Sequence, residues 1–432
     1  MTETVAPAIA DKIHSNYSVF LLLIFSVPIF MVFGFGSATA AIWGLKLPWS
    51  TLIQVSFGSM TKHVLIAVPL FIFAGMVMLR GGAAARLVYF ATTLIGHWSG
   101  GLGIAMILAM GFFAAFCGSI LAAITAVGTI MIPQMVDQGY PKPFVIVLAA
   151  SAAFLEALIP RSNAAILFSA LTDVPVSRTF AAGFIPGFVL IILLGIVVTW
   201  KCRHLKNPTK ATASERFAAF RSAIPWLFTP VIILGGIYAG LLTPSESAAV
   251  AGIWAILIGT LIYRELTFRG ILKALNETAR ITAVIFAIIA MATFLSVVLT
   301  FSQAPQKIIS YFTEMGGTPL AFWFSVAIIC MILGTFVEIV PVFYLTVPIF
   351  AALALSLNLN ILHLYVISVA FAGIGMITPP VCVGVYTAAG VAKESPEKAF
   401  REVPLFVGVG IIFGLLMIFF PAAATWLPAL LK

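Results

Sequence analysis

The chain has 432 residues, 62% of them hydrophobic and 9% charged, with a formal net charge of +9. A soluble domain carries roughly 25% charged residues, so this composition argues against any soluble enzyme or soluble binding module. Lys and Arg stand singly or in short clusters between apolar runs, the pattern that retains loops on the cytoplasmic face, and not a nucleic-acid patch.

Residues 1–16 are polar and lack a cleavage-site pattern, so the first span is expected to serve as its own insertion signal. The apolar runs that follow are continuous, not alternating, and long enough to cross the ~30 Å hydrocarbon core. Lipid leaves only helices or closed barrels as spanning structures, and continuous runs mean helices. Spans are expected at 17–36, about 35–47 and 62–79, with an interfacial stretch from Pro48 to Met60. An amphipathic stretch at 83–97 follows. The apolar run 102–136 is interrupted at Phe116-Cys117-Gly118-Ser119, and 144–172 is broken at Ile159-Pro160-Arg161-Ser162-Asn163. A span at 183–200 closes this half.

The polar linker 201–222 carries Lys201, Arg203, Lys206, Lys210, Arg216 and Arg221 against one acid, Glu215. The second half repeats the pattern. Spans at 224–241 and 245–263 precede an amphipathic segment at 267–280, a span at 281–299 and an amphipathic stretch at 302–315. The run 319–353 is broken at Gly334-Thr335, 361–392 at Thr378-Pro379-Pro380, and 404–421 is the last span. Prolines at matching places, Pro133 with Pro348 and Pro186 with Pro404, strengthen the correspondence, each of the latter two expected at the head of its closing span.

If the 102–136 run dips in and returns, each half crosses five times, and an odd number inverts the second half. With the N-terminus outside, sixteen of the 23 Lys and Arg fall on the inner side, including the whole linker. Lys12, Lys46, Lys62, Arg178, Lys307 and Lys432 fall outside, and Arg161 is left within the membrane. The expected organisation is therefore a tail (1–16), a first inverted repeat (17–200), a cytoplasmic linker (201–222) and a second inverted repeat (223–432), all α-helical, with re-entrant hairpins and broken helices.

Helices broken at membrane depth persist where they line a cavity or bind an ion, and paired breaks in two halves point to a transporter's binding site. Each hairpin tip is expected to form a cation site with its facing broken helix: Gly118 and Ser119 with Ser162 and Asn163, and Gly334, Thr335 and Glu338 with Thr378. Hydroxyl, carbonyl and carboxylate oxygens suit a hard cation. Glu156, Arg161 and Glu338 are charges at membrane depth, and such charges face a partner, an ion or a substrate. Arg161 is the expected carboxylate contact, because guanidinium grips a carboxylate bidentately; the competing partner is Glu156. Ser119, Thr335 and Thr378 complete the candidate substrate contacts. Glu246, in Thr243-Pro244-Ser245-Glu246, reads as a helix cap. Cys117, Cys202, Cys330 and Cys382 show neither zinc nor disulfide spacing. The five histidines form no cluster and Ser119 has no evident base, so no enzymatic constellation is present.

Several of these segments resemble one family. Cys117-Gly118-Ser119 with Gly128-Thr129-Ile130-Met131-Ile132-Pro133-Gln134-Met135 resembles the first hairpin of the large membrane subunit of tripartite ATP-independent periplasmic (TRAP) transporters. Leu227-Phe228-Thr229-Pro230 through Tyr238, with Thr243-Pro244-Ser245-Glu246-Ser247-Ala248-Ala249, resembles its entry to the second half. Ile332-Leu333-Gly334-Thr335-Phe336 and Ile377-Thr378-Pro379-Pro380-Val381 resemble its second hairpin and second broken helix. The resemblance implies an elevator-type, sodium-coupled importer of an organic acid, with no cofactor beyond the coupling ions. It also implies a periplasmic substrate-binding protein, a small four-span membrane subunit and a bacterial inner-membrane location. This chain departs from the family's usual pattern at Cys117, Ile120 and Ala123, where hydroxyls are common, at Arg161, where a second proline is usual, and at Glu156, Asn163, Glu338 and Gly384. A stand-alone sodium–carboxylate symporter or sodium/proton antiporter of similar architecture is the alternative.

Overall fold

The computed structural model describes residues 27–205, 210–314 and 316–431. The tail 1–16, the opening of the first expected span, Lys206 and Lys432 lie outside these residues. Every described element is a helix. Eight are long and apolar enough to cross a membrane, or ten if each sharply bent pair is one span. Their outward faces carry exposed Phe217, Phe228, Ile253 and Leu261, as lipid-facing surfaces require.

Local signals set the helix ends. Thr212 and Glu215 form a reciprocal capping box at the start of Ala213–Tyr238, and Thr243 and Glu246 do the same for Pro244–Leu257. Each satisfies backbone N–H groups that a helix start leaves free, which gives Glu246 the capping place read from its motif. The first of these boxes starts the helix inside the polar linker, so 213–222 is helical and runs on into the membrane.

Other boundaries differ from the sequence reading. A helix at Ile29–Thr39, with a π-type turn at Ala40–Gly44, runs through the break expected near residue 35. Phe268–Phe301 is one helix of 34 residues where an amphipathic segment and a separate span were expected. It has no proline, and its single glycine, Gly270, sits in the first turn, so nothing interrupts it; Glu277 on this helix pairs with Arg80 at 2.5 Å. Pro186 lies inside Val176–Lys201 and not at its head, while Pro404 does sit in the first turn of Val403–Phe419. That last helix bends by 57° into Ala422–Leu430, an element the sequence reading did not contain.

The two interrupted runs are helical hairpins. Gly101–Cys117 returns as Ile120–Asp137, and Pro319–Phe336 returns as Ile339–Ser356. The second turn therefore falls at Val337-Glu338 and not at Gly334-Thr335, which stay in the last helical turn because the backbone there keeps its helical hydrogen bonds. The two broken helices are Lys142–Leu158 with Asn163–Thr172, bent by 42°, and Ile361–Gly375 with Val383–Ala392. These pieces exchange partners between halves. Asn163–Thr172 packs on the return helix Ile339–Ser356, and Val383–Ala392 packs on the return helix Ile120–Asp137. That reciprocal exchange ties the two halves together through their broken helices and return helices.

Candidate functional site

At the first tip, Gly118 adopts φ +68°, a conformation that costs a side chain and not glycine. A Cβ there would also lie 2.9 Å from Asn163 Nδ2. Ser119 is extended, and its Oγ accepts a long 3.5 Å bond from the Ala122 amide to start the return helix. Across the gap, Asn163 Nδ2 donates to the Gly118 carbonyl at 2.5 Å. The other end of that amide, Oδ1, is buried without a hydrogen-bond partner. The first tip and the first break are thus joined directly, through two of the residues singled out from the sequence.

The second tip meets its own broken helix by backbone packing. A Cβ on Gly334 would lie 2.4 Å from the Ala372 carbonyl oxygen, and one on Gly375 would lie 2.5 Å from that of Met331. Thr335 Oγ1 donates to Ile332 O and Thr378 Oγ1 to Ile374 O, both at 2.7 Å. Each hydroxyl therefore spends its proton on a carbonyl three or four residues earlier and keeps lone pairs to offer. Glu338 opens the return helix Ile339–Ser356 without making a side-chain cap, and its side chain is exposed. Among the described residues no hydrogen bond joins Thr335 or Glu338 to Thr378.

Three charges mark the centre. Arg161, in the first break, has φ +82° and is 1% exposed. Its Nε, Nη1 and Nη2 have no hydrogen-bond partner, and its Cζ stands 4.8 Å from the ring centroid of Phe71, within cation–π range. Glu156 is 4% exposed, with Oε1 unpartnered. The ion pair between Glu156 and Arg161 weighed from their spacing is not formed: no salt bridge within 4.0 Å links them among the described residues. They remain within electrostatic reach of each other, and Glu338 within reach of Glu156. Nor does Arg161 open into a cavity, as its place at the break suggested. The helix Ala67–Arg80 covers it with Phe71.

That covering helix is what sequence reasoning missed. Gly75, one turn beyond Phe71, lies so close to the first tip that a Cβ would stand 2.9 Å from backbone atoms of Phe116 and Cys117. In sequence, Phe71 and Gly75 belong to an ordinary apolar span, and no signal distinguishes them. Tyr365 was missed too; its hydroxyl donates to Ala157 O at 2.9 Å and ties the second broken helix to the first. No group of three or more His, Cys, Asp or Glu side chains suited to a transition metal occurs among the described residues. A cation here would rely on carbonyl, hydroxyl and single carboxylate oxygens, the donors of a hard cation and not of zinc.

Comparison with known proteins gives this geometry its context. Residues 17–423 match the profile of the tripartite ATP-independent periplasmic transporter family, DctM component. The chain is 36% identical over 374 residues to the C4-dicarboxylate TRAP transporter large permease protein DctM of Pseudomonas aeruginosa, covering 86% of this chain and 88% of the relative. It is 33% identical over 433 residues to the protein of the same description from Vibrio cholerae, covering 95% and 96%. Among solved structures, the Alcanivorax borkumensis YdaH transporter shares the fold, with a TM-score of 0.59 at 14% identity over 87% of this chain and 88% of that one.

Proposed function

The chain belongs to the DctM component family of tripartite ATP-independent periplasmic transporters, and from that premise we propose that it is the membrane subunit through which a sodium gradient drives import of an organic carboxylate. It is a multi-pass protein of the bacterial inner membrane and a transporter permease, not an enzyme. In the proposed complex a periplasmic binding protein delivers the substrate and a small four-span subunit braces this chain in the bilayer. The N-terminus lies outside and the linker 201–222 inside.

One observation carries the reading: each hairpin tip is seated on the broken helix of its own half, with oxygen atoms left uncommitted there. Asn163 Oδ1 lacks a partner, Thr335 and Thr378 keep their lone pairs, and Glu338 caps nothing. Gly118, Ser119, Ser162 and Asn163 form the first proposed cation site, and Gly334, Thr335, Glu338 and Thr378 the second. Arg161 is the proposed carboxylate contact, assisted by hydroxyls of Ser119, Thr335 and Thr378. The elevator reading draws support from Phe71 and Gly75. The hairpins and broken helices would move as one body along Ala67–Arg80, and displacement from Phe71 would uncover Arg161.

Uptake into proteoliposomes holding the chain, its small subunit and its binding protein tests the proposal. An inward sodium gradient should drive uptake and a proton gradient alone should not. Arg161→Lys keeps the charge but loses the bidentate fork, so apparent affinity should fall about tenfold or more while the protein still assembles. Proton-driven, sodium-indifferent transport would favour the antiporter-like alternative.

A further inference from the structure

Glu156 is the buried charge that the proposed function leaves unused. Its carboxyl and the Arg161 guanidinium have opposite sign and are both closed off from solvent, at 4% and 1% exposure. Each presents polar atoms that meet no partner: Oε1 on one side, all three guanidinium nitrogens on the other. They come from opposite sides of one helix break and are not paired with each other. They stand within electrostatic reach of each other but share no hydrogen bond, so each keeps buried polar atoms that are costly to leave unpaired, and a ligand carrying both signs would satisfy both.

We propose that the site takes a zwitterion, a small carboxylate that also bears a cationic nitrogen, with the carboxylate held by Arg161 and the nitrogen by Glu156. The inference rests on the reading of Arg161 as carboxylate contact and narrows its substrate class. A dianion meets Arg161 with one carboxylate but sets the other against Glu156, and Glu338 lies within electrostatic reach of that same side chain. A simple monoanion leaves Glu156 uncompensated. A zwitterion places an opposite charge against each group. The ring of Phe71 stands over the guanidinium at 4.8 Å, so the ligand would reach Arg161 only after the covering helix is displaced.

Ligand-induced thermal stabilisation of the purified full-length chain in detergent tests this without requiring the binding protein. The probes are β-alanine and γ-aminobutyrate, the length-matched propionate and butyrate, and succinate. The amino carboxylates should stabilise the chain at lower concentration than the matched alkanoates or succinate. Glu156→Gln, nearly isosteric, should weaken the amino carboxylates roughly thirtyfold and leave butyrate unchanged or improved. Equal or better binding of succinate or butyrate by the unaltered chain overturns the inference while leaving Arg161 as a carboxylate contact, as does a preference for amino carboxylates that survives Glu156→Gln. Carboxylate responses that persist unchanged in Arg161→Lys, or the lack of any response in either protein, overturn the Arg161 reading and this one with it.

Discussion

The side-chain amide of Asn163 donates to the backbone carbonyl of Gly118 across 45 positions of sequence. Two interruptions that look independent in the chain therefore form one structure, in which the amide of one break holds the carbonyl of the other. Asn163→Ala should remove that bond and leave a buried carbonyl without a donor, costing about 1–3 kcal/mol. A lowered unfolding midpoint in detergent checks the structural half. If Asn163 Oδ1 also ligates sodium, the stabilisation that sodium confers should shrink in the same variant; an unchanged sodium response would remove Asn163 from the ion site.

Glu338→Gln should raise the sodium concentration needed for half-maximal uptake, because it replaces a carboxylate that makes no local cap with a neutral amide. A sodium titration of uptake in proteoliposomes reads this directly. Identical titrations for the two proteins would place the second ion elsewhere.

Gly75→Ala should impair transport more than expression. Its Cβ would meet backbone atoms of Phe116 and Cys117 at 2.9 Å, which cannot rotate away as a side chain could. Overpacking of this kind costs about 1–3 kcal/mol, and here it falls only on the arrangement in which the covering helix touches the tip. Uptake assays on a purified, correctly folded variant provide the measurement. Normal uptake would mean that this contact plays no part in the transport cycle.

Orientation is tested by labelling intact cells with an impermeant thiol reagent, in a background lacking the native cysteines. Lys210→Cys should be protected until the cells are opened, and Lys307→Cys should react at once. The opposite pattern would invert the topology.

A surface network gives a pH prediction. Lys398, then the Ser395 amide and Lys142, hold the Glu394 carboxyl down at about 2. Lys398 Nζ stands 2.7 Å and Lys142 Nζ 3.3 Å from its oxygens. Because the folded value lies below the unfolded one, about 4.3 for an unperturbed Glu, the contribution is full above that value and fades as pH falls toward 2. The difference in unfolding midpoint between the unaltered chain and Glu394→Gln should thus be constant from neutral pH down to about 5 and shrink below about 4. A difference that grows on acidification would contradict the assignment. Through the range in which cells live, the tie between Lys142 and Glu394 should not respond to pH.

Much of this protein is legible without coordinates, for physical reasons. A bilayer accepts only helices or barrels, so continuous apolar runs specify helices. Glycine and proline mark some of the breaks, because one admits the conformation of Gly118 and the other removes the backbone donor at Pro160, while Pro133, Pro186 and Pro348 stay inside continuous helices. The capping boxes at Thr212 and Thr243 are local, each closed within four residues, and stand in the sequence as clearly as in the structure. Less legible were the ends of long helices. The run 268–301 contains no breaker after its first turn, and its polar residues mimic a boundary that the backbone does not make.

The sequence by itself determined the membrane class, the two hairpins, the two broken helices and the charges placed among them, since each depends on composition or on neighbours a few positions away. Only the tertiary structure decided who meets whom. It set Asn163 on Gly118, exchanged half-helices between the repeats, brought Phe71 over Arg161 and left Glu156 and Arg161 unpaired though five positions apart. These are distances between segments far apart in the chain, fixed by how helix faces pack, and no local pattern encodes them. Spacing alone suggested that Glu156 could neutralise Arg161; packing held the two apart and left Glu156 Oε1 and the Arg161 guanidinium without hydrogen-bond partners.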